Sequence, residues 1–343
     1  MMSDVSEYSE LHDELRSVAA DLLAKDSIDW PLLVSAGWVG LDAPEEAGGA
    51  GVTFAEVAVI CEELGRAAAT TGYLGGAVLA IGALNCLQPS DSRDTLLQEV
   101  VAGTTRVALG LSGSGDAPFE LATGRVHGRA TFVSDAAGAQ RLLLPARDAD
   151  GLAVLVDVAA DASGLAVADQ PVLDETRNLA TVTADGVDIA GNAVWRFDGD
   201  AEDCLRALTG RAALAVACDS LGVAQAMLDA TVAYTGVRRQ FGRPIGSFQA
   251  VKHACADMLV RITVARQLVN AAIASPDPRA VSMAKAYTTE AAVEVAGKAM
   301  QLHGGIGYTW ESGVHIYLKR AALNRSLFGS PAEHRAKIAQ HYR

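Results

Sequence analysis

Residues 236–253 read GVRRQFGRPIGSFQAVKH, which sets Arg238, Arg239 and Arg243 around a single aromatic ring, Phe241. Guanidinium groups this close together need either bulk water or an anion between them. A planar guanidinium can grip two oxygens of a phosphate, and a phenyl ring beside it offers a flat apolar face. The competing reading is a helix C-terminus, where arginines complement the negative end of the macrodipole.

The rest of the chain narrows the choice of anion. Its 343 residues carry a formal net charge of −13, so a general nucleic-acid or anionic-membrane surface is excluded, because both reward a basic face. The arginines must serve something small. Half of the residues are hydrophobic and a fifth are charged, which is the composition of a globular protein. Cys61, Cys86, Cys204, Cys218 and Cys255 are scattered with no C-x-x-C pair, and no signal-peptide pattern opens the sequence. Reduced thiols, a cytoplasmic location and no metal site are therefore expected. Residues 67–90 carry no charge, but their dense apolar part, 77–87, is shorter than the about 20 residues a membrane span needs. A buried helix is expected there.

Three stretches must position the arginines. The first, 1–104, reads as helical: in FAEVAVICEELGRA, Phe54, Val57, Ala58, Cys61 and Leu64 recur at helical spacing, with Glu56, Glu62, Glu63 and Arg66 largely on the other side. The second, 105–198, holds short β-type runs such as RVALGL, RATFV, RLLLPA, LAVLVDV and LATVTA, separated by glycine, aspartate and proline, as in an antiparallel β domain or barrel. The third, 199–343, returns to helices. Leu214, Cys218, Leu221, Gln225, Leu228 and Val232 mark a long one, expected to end near Gly242 because Pro244 blocks continuation. Further helices are expected over about 247–275, stopped by SPDP, and about 279–303, stopped by GGIGYTWESG.

That order, together with YTGVRRQFGRPIGSFQAVKHACADM, AMQLHGGIGYTWESGVHIYLKRA and the loop GWVGLDAPEEAGGAG, resembles the acyl-CoA dehydrogenase family over nearly the whole chain. The resemblance implies an N-terminal α-helical domain, a middle antiparallel β domain and a C-terminal four-helix bundle. It also implies FAD and oxidation of the Cα–Cβ bond of an acyl-CoA thioester. In such proteins the first Arg of R-x-x-F-G contacts the FAD pyrophosphate bound by a neighbouring subunit. This carries over to Arg238, with Gln240 and Phe241 beside the adenosine. Gln301, Gly304 and Gly305 match the turn that lets the main chain approach the same flavin. Arg239 and Arg243 read as a solvated helix end, and Gln249 and His253 as packed or solvated helix residues.

The family's base is a glutamate, and the resemblance points to two places for it. Counting along SLFGSPAEH, the E-G-T loop position is occupied by Phe328, followed by Gly329; the alternative position on the first helix of the C-terminal bundle is Ala212. Neither side chain can take a proton. Asp219 and Glu333 lie nearby as substitute bases, against readings of Asp219 as a polar group satisfied in the bundle and Glu333 as a helix-start or surface charge. Glu311 reads as a turn residue. The middle domain departs too: where relatives have T-E-P-x-A-G-S-D and W-I-[ST]-N, this chain has LSGSGDAPFE and FVSDAAGA, with Phe132 at the tryptophan position, Ser134 beside it, and Gly113 and Gly115 as loop glycines.

The chain thus keeps what reaches into a neighbour's FAD and loses what makes its own site. The resemblance therefore extends to the base-lacking subunit of actinobacterial α2β2 steroid-type acyl-CoA dehydrogenases. It implies a homologous catalytic subunit as partner, which would bind most of the acyl-CoA substrate, and an electron-transfer flavoprotein or similar acceptor. Two rivals remain at this stage: a self-sufficient homotetramer using Asp219 or Glu333, and a scaffold of the same fold without flavin.

Overall fold

The computed structural model describes residues 4–24, 28–111 and 116–340. The chain forms two compact units, one of residues 28–57 and 70–212, the other of residues 4–24, 58–69 and 213–340. Gly113 and Gly115 lie outside the described residues.

In the first unit, helix α2 (Trp30–Ser35) starts at the Asp29 cap, whose Oδ1 accepts the Leu32 N–H at 3.0 Å. The uncharged stretch forms the buried helix expected of it, but not as a plain α-helix. Leu74–Ala80 is wound as a π-helix and runs into α4 (Ile81–Asn85), and α5 (Asp91–Val101) follows. Gly75 and Gly76 permit close approach here: a Cβ on Gly76 would stand 2.5 Å from the Trp30 ring, and one on Gly75 2.6 Å from the Ser134 carbonyl oxygen.

The middle of the unit is an eight-stranded sheet in the order β6-β7-β3-β2-β4-β5-β8, with β1 also on β4. Its strands are β1 (Val107–Leu109), β2 (Phe119–Ala122), β3 (Arg125–Ser134), β4 (Arg141–Arg147), β5 (Ala153–Ala159), β6 (Leu165–Asp169), β7 (Leu179–Asp188) and β8 (Val194–Trp195). Phe119, Val126, Leu142, Leu144, Val154, Val156 and Val182 fill its core. One correction is needed to the antiparallel expectation: β4 pairs with both β1 and β2 in parallel, and the other pairings are antiparallel. Alternating apolar runs reveal strands but not their direction. The excursion through the β2–β3 hairpin supplies the crossover that parallel pairing requires.

The second unit is helical. It contains α1 (Asp4–Leu23), the later turns of α3 (Phe54–Arg66), most of α6 (Ala201–Val237), and α7 (Gln249–Ala274), α8 (Pro278–His303), α9 (Val314–Ser326) and α10 (Pro331–Gln340). Among the described residues α6 is the one helix long and apolar enough to cross a membrane, yet most of its apolar window is buried in the fold, as in a core helix. Leu214, Cys218, Leu221 and Leu228 are buried as their spacing predicts, while Gln225 is half-buried and Val232 exposed.

Helices α3 and α6 cross in backbone contact. A Cβ on Gly65 would lie 2.0 Å from the Asp219 carbonyl oxygen, and one on Gly222 1.9 Å from that of Glu62. This crossing corrects the expected polar face of α3: Glu56, Glu62 and Glu63 are all buried. Each has a local reason. Glu56 accepts the Thr53 N–H at 3.0 Å and its hydroxyl at 2.9 Å, which caps the helix; Glu62 pairs with Arg266 at 2.7 Å; Glu63 lies 3.7 Å from Arg66. Among the described residues none of the five cysteines forms a disulfide.

Candidate functional site

Of the opening arginines only Arg238 sits at a helix end, where its N–H donates to the Tyr234 carbonyl at 2.9 Å. Helix α6 stops at Val237, and the next residues form a small hairpin of β9 (Arg239–Gln240) and β10 (Arg243–Pro244), with Gln240 paired to Arg243 and Arg239 to Pro244. The expected helical run to Gly242 is therefore corrected. Phe241 and Gly242 both have positive φ, 49° and 79°, which is the left-handed geometry of a tight two-residue hairpin turn. Glycine takes this conformation freely, whereas phenylalanine is strained in it. The Ile245 N–H donates to the Arg238 carbonyl at 2.8 Å and closes the hairpin base.

Within the hairpin the three arginines part company. Arg239 donates from Nη2 to the Gly242 carbonyl at 3.1 Å. The Arg243 guanidinium lies 4.1 Å over the Phe248 ring. Both are exposed, as expected, but Arg239 braces the hairpin turn and Arg243 ties the hairpin to Phe248, so neither serves a helix end. Arg238 is exposed, and its side chain makes no hydrogen bond or ion pair among the described residues. Phe241, 90% exposed, touches Phe248 edge-on at 6.1 Å and presents the rest of its ring outward. Gln240, Gln249 and His253 are exposed.

The second motif lies at the same end of this unit. Tyr234, in the last turn of α6, stacks on His303 with ring centroids 4.5 Å apart, and His303 is the residue immediately before Gly304. The His303 ring is fixed from below by its Nδ1 contact with the Ala299 carbonyl at 2.8 Å. The stack thus joins the hairpin to the glycine turn. Gln301 is exposed, with its Oε1 accepting from Lys298 Nζ at 2.9 Å. Gly304 adopts φ 65° and ψ −144°, a conformation reserved for glycine. Gly305 is different: its φ is not in the left-handed range, and a Cβ there would meet nothing within 4 Å. The chain's own packing gives no reason for glycine at 305. Ile306, Tyr308 and Trp310, next in sequence, are exposed apolar side chains.

Phe328 is buried at φ 53° in the loop between α9 and α10. Two buried titratable groups grip that loop. Lys285 Nζ donates to the carbonyls of Gly329 at 2.8 Å and Asn324 at 3.1 Å, and burial pushes its pKa down to about 7. His334 Nε2 meets the Phe328 carbonyl at 3.0 Å and Nδ1 the Ser282 hydroxyl at 3.2 Å; burial holds its pKa down to about 4. Ala212 is fully buried on α6.

Asp219 is fully engaged. Arg320 donates to it twice, Nε to Oδ1 at 3.0 Å and Nη2 to Oδ2 at 2.6 Å, and Asn324 Nδ2 donates to Oδ1 at 2.6 Å. Arg320 is 1% exposed and Asp219 3%. Glu333 accepts the Ser330 N–H at 2.6 Å and receives a cap in return, since its own N–H donates to Ser330 Oγ at 3.3 Å. The Ser330 backbone bond lowers its pKa first, and the serine side chain second. Both carboxylates do structural work, Asp219 as a satisfied bundle group and Glu333 as a helix start. Glu311 lies in a short helical turn, Trp310–Ser312.

In the sheet unit Phe132 is half-exposed at φ 57°, its N–H donating to Gln170 Oε1 at 2.9 Å. The Ser134 hydroxyl beside it is buried and has no partner. Neither the Asp219–Arg320–Asn324 network nor the Lys285 contact is visible in the sequence, since each joins residues from distant elements through no short motif.

Two family profiles match the chain: Acyl-CoA dehydrogenase, N-terminal domain, over residues 8–103, and Acyl-CoA dehydrogenase, C-terminal domain, over residues 205–342. The chain is 33% identical to acyl-CoA dehydrogenase IpdE2 of Mycolicibacterium smegmatis, over 94% of this chain and 90% of that one. Among solved structures it is similar to a variant of the Tcur3481–Tcur3483 steroid ACAD, with 27% identity, a TM-score of 0.85 and 97% of each chain covered. It is also similar to a chain of the ChsE4–ChsE5 complex from Mycobacterium tuberculosis, with 26% identity, a TM-score of 0.84 and 98% and 96% of the two chains covered. Butyryl-CoA dehydrogenase from Megasphaera elsdenii shares the fold at a TM-score of 0.86. On these matches at both ends and along its length, the chain belongs to the acyl-CoA dehydrogenase family.

Proposed function

We propose that this chain is the flavin-completing subunit of a heteromeric FAD-dependent acyl-CoA dehydrogenase, and that it carries no catalytic base of its own. The observation that carries the reading is Arg238: an exposed guanidinium with no hydrogen-bond or ion-pair partner among the described residues, beside an outward-facing ring held in a strained conformation. A diphosphate with a flat heterocycle attached fits that pair, because guanidinium offers paired donors and phenyl an apolar face. FAD, when bound, would supply the hydride acceptor for Cα–Cβ oxidation of the thioester.

This chain's part is to bind and orient. Arg238 would hold the pyrophosphate of a flavin seated in the homologous partner, with Gln240 and Phe241 beside the adenosine. The Gln301–Gly305 turn would offer main chain to the same group, and the open space at Gly305 leaves room for it. Proton removal would fall to the partner's carboxylate, since Ala212 and Phe328 cannot perform it and Asp219 and Glu333 are committed to the fold. The partner would bind most of the acyl-CoA, possession of a steroid-derived acyl group being favoured by the named relatives. An electron-transfer flavoprotein or similar carrier would take the electrons in the cytoplasm.

The test is co-expression with a homologous dehydrogenase subunit that carries the glutamate, followed by flavin absorbance and acyl-CoA oxidation. The expected outcome is a yellow, active complex and a colourless, inactive single chain. Arg238→Ala should strip FAD from the complex while Arg239→Ala leaves at least half of it bound. Equal flavin occupancy in the two variants, or a yellow and active single chain, would sink the reading.

A further inference from the structure

The sheet unit contains a cavity of about 390 Å³ that the flavin-completing role does not use. Its wall is assembled from four places: Trp30 at the start of α2, the Thr70–Gly72 loop with Gly76 of the π-helix, Arg106 just ahead of β1, and the Asp135–Gly138 turn with Asn178. The volume lies in the range of small-molecule pockets.

Three features give it a chemical character. The six-membered ring of the Trp30 indole packs closely against glycines, since a Cβ on Gly76 would overlap it at 2.5 Å and one on Gly72 would touch it at 3.7 Å. This makes a planar apolar wall. The Arg106 guanidinium is exposed and makes no hydrogen bond or ion pair among the described residues; only its backbone is engaged, by Gln140 and Arg141. Gly138 leaves it room, because a Cβ there would come within 3.4 Å of Nη1. The hydroxyl of Thr70 and the amide of Asn178 are exposed on the same wall. The carboxylate of Asp135, by contrast, is turned to the backbone, its Oδ2 accepting the Gly75 N–H at 2.7 Å. The cavity therefore offers a cation, neutral hydrogen-bonding groups and a flat apolar surface.

A second observation falls on the same wall. The helix that supplies Gly76 is π-wound over Leu74–Ala80, a rare winding that replaces normal helical bonding and is frequent at functional sites. Here it brings Gly75 to Asp135 and Gly76 to Trp30, the two contacts that shape the cavity.

We infer that this cavity is a binding site for a small cyclic or aromatic carboxylate, with the carboxylate on Arg106 and the ring against Trp30. The site stands apart from the flavin-completing role, and either assignment can fail without the other. The probe is naphthalene-2-carboxylate, titrated into the full chain and followed by calorimetry and by the indole N–H signal of Trp30 in a 15N-tryptophan-labelled sample. The expected result is saturable one-to-one binding that moves the Trp30 signal. Binding should weaken at least tenfold in Arg106→Gln and at least tenfold for the neutral naphthalene-2-carboxamide. Arg106 is exposed, so the variant is expected to fold, and an unchanged melting temperature verifies that. No saturable binding, equal affinity for acid and amide, or an Arg106→Gln protein that binds as tightly as the parent would each overturn the assignment.

Discussion

Asp219→Ala tests whether the buried carboxylate is an anchor of the helical unit. The substitution takes both carboxylate oxygens away from Arg320, which is 1% exposed, and removes the acceptor of the 2.6 Å bond from Asn324. Breaking a buried ion pair by deleting one partner costs about 3–5 kcal/mol, because the remaining charge stays desolvated. The lost amide bond adds about 1 kcal/mol. A loss of about 4 kcal/mol or more is expected, a large share of the about 5–15 kcal/mol that holds a typical domain folded. The assay is urea unfolding of the parent, Asp219→Ala, Arg320→Met and the double variant. Replacing both charges removes the desolvation penalty along with the attraction, so the double variant should be less destabilised than the sum of the singles by about 2–3 kcal/mol. A single-variant loss below about 1 kcal/mol, or strictly additive losses, would refute the reasoning.

The loop that carries Phe328 should respond to pH through Lys285. The unfolded lysine keeps its proton to near 10.5 and the folded one only to about 7, so between those values the unfolded state binds more protons and stability rises with pH. The slope should approach about 1.4 kcal/mol per pH unit and disappear in Lys285→Met, read from melting curves between pH 7 and 10. The charges facing Lys285 are Glu333, which opposes the shift, and Lys337, which adds to it. His334, held near 4 against an ordinary 6.5, should remove stability as pH falls through that window, and His334→Gln should flatten that limb. Phe241→Asn relieves a left-handed phenylalanine and should leave the melting temperature unchanged or higher, yet lower flavin retention in the complex. Gly305→Ala should do the same, since its Cβ meets nothing in this chain; a large drop in melting temperature would show that the glycine serves the fold instead.

Much of the architecture could be read from periodicity and punctuation. The stripe from Leu214 to Leu228 gave the core helix, SPDP and GGIG marked the ends of α7 and α8, and short apolar runs gave the strands. Direction of pairing was not legible, because β1 and β2 show the same runs whether they join β4 in parallel or not. Helix termination at the arginines was misread for a definite reason. Pro244 alone points to a helix that runs on to near Gly242, but Phe241 and Gly242 both take positive φ, and a two-residue turn forms instead. Glu56, Glu62 and Glu63 looked solvent-facing because charge normally is; their burial rests on Thr53 and on Arg266, and the arginine is far away in sequence. The grouping of Arg238 with Gly304 needed the Tyr234–His303 stack, a contact between helices that no motif spacing encodes.

The glycine crossing of α3 and α6 has a consequence far from where it lies. With Gly65 and Gly222 seated against opposing backbone, α6 has no slack in translation or tilt at that point. From there to Val237 the helix runs about fifteen residues, or about 22 Å at 1.5 Å per residue. Over such a lever arm, a tilt of about 5° at the fulcrum moves the far tip by about 2 Å. A Cβ on Gly222 would therefore do more than strain the crossing: it would swing the hairpin tip out of aim by more than half the length of a hydrogen bond. Two small residues in the middle of the unit in this way set the bearing of an arginine at its edge.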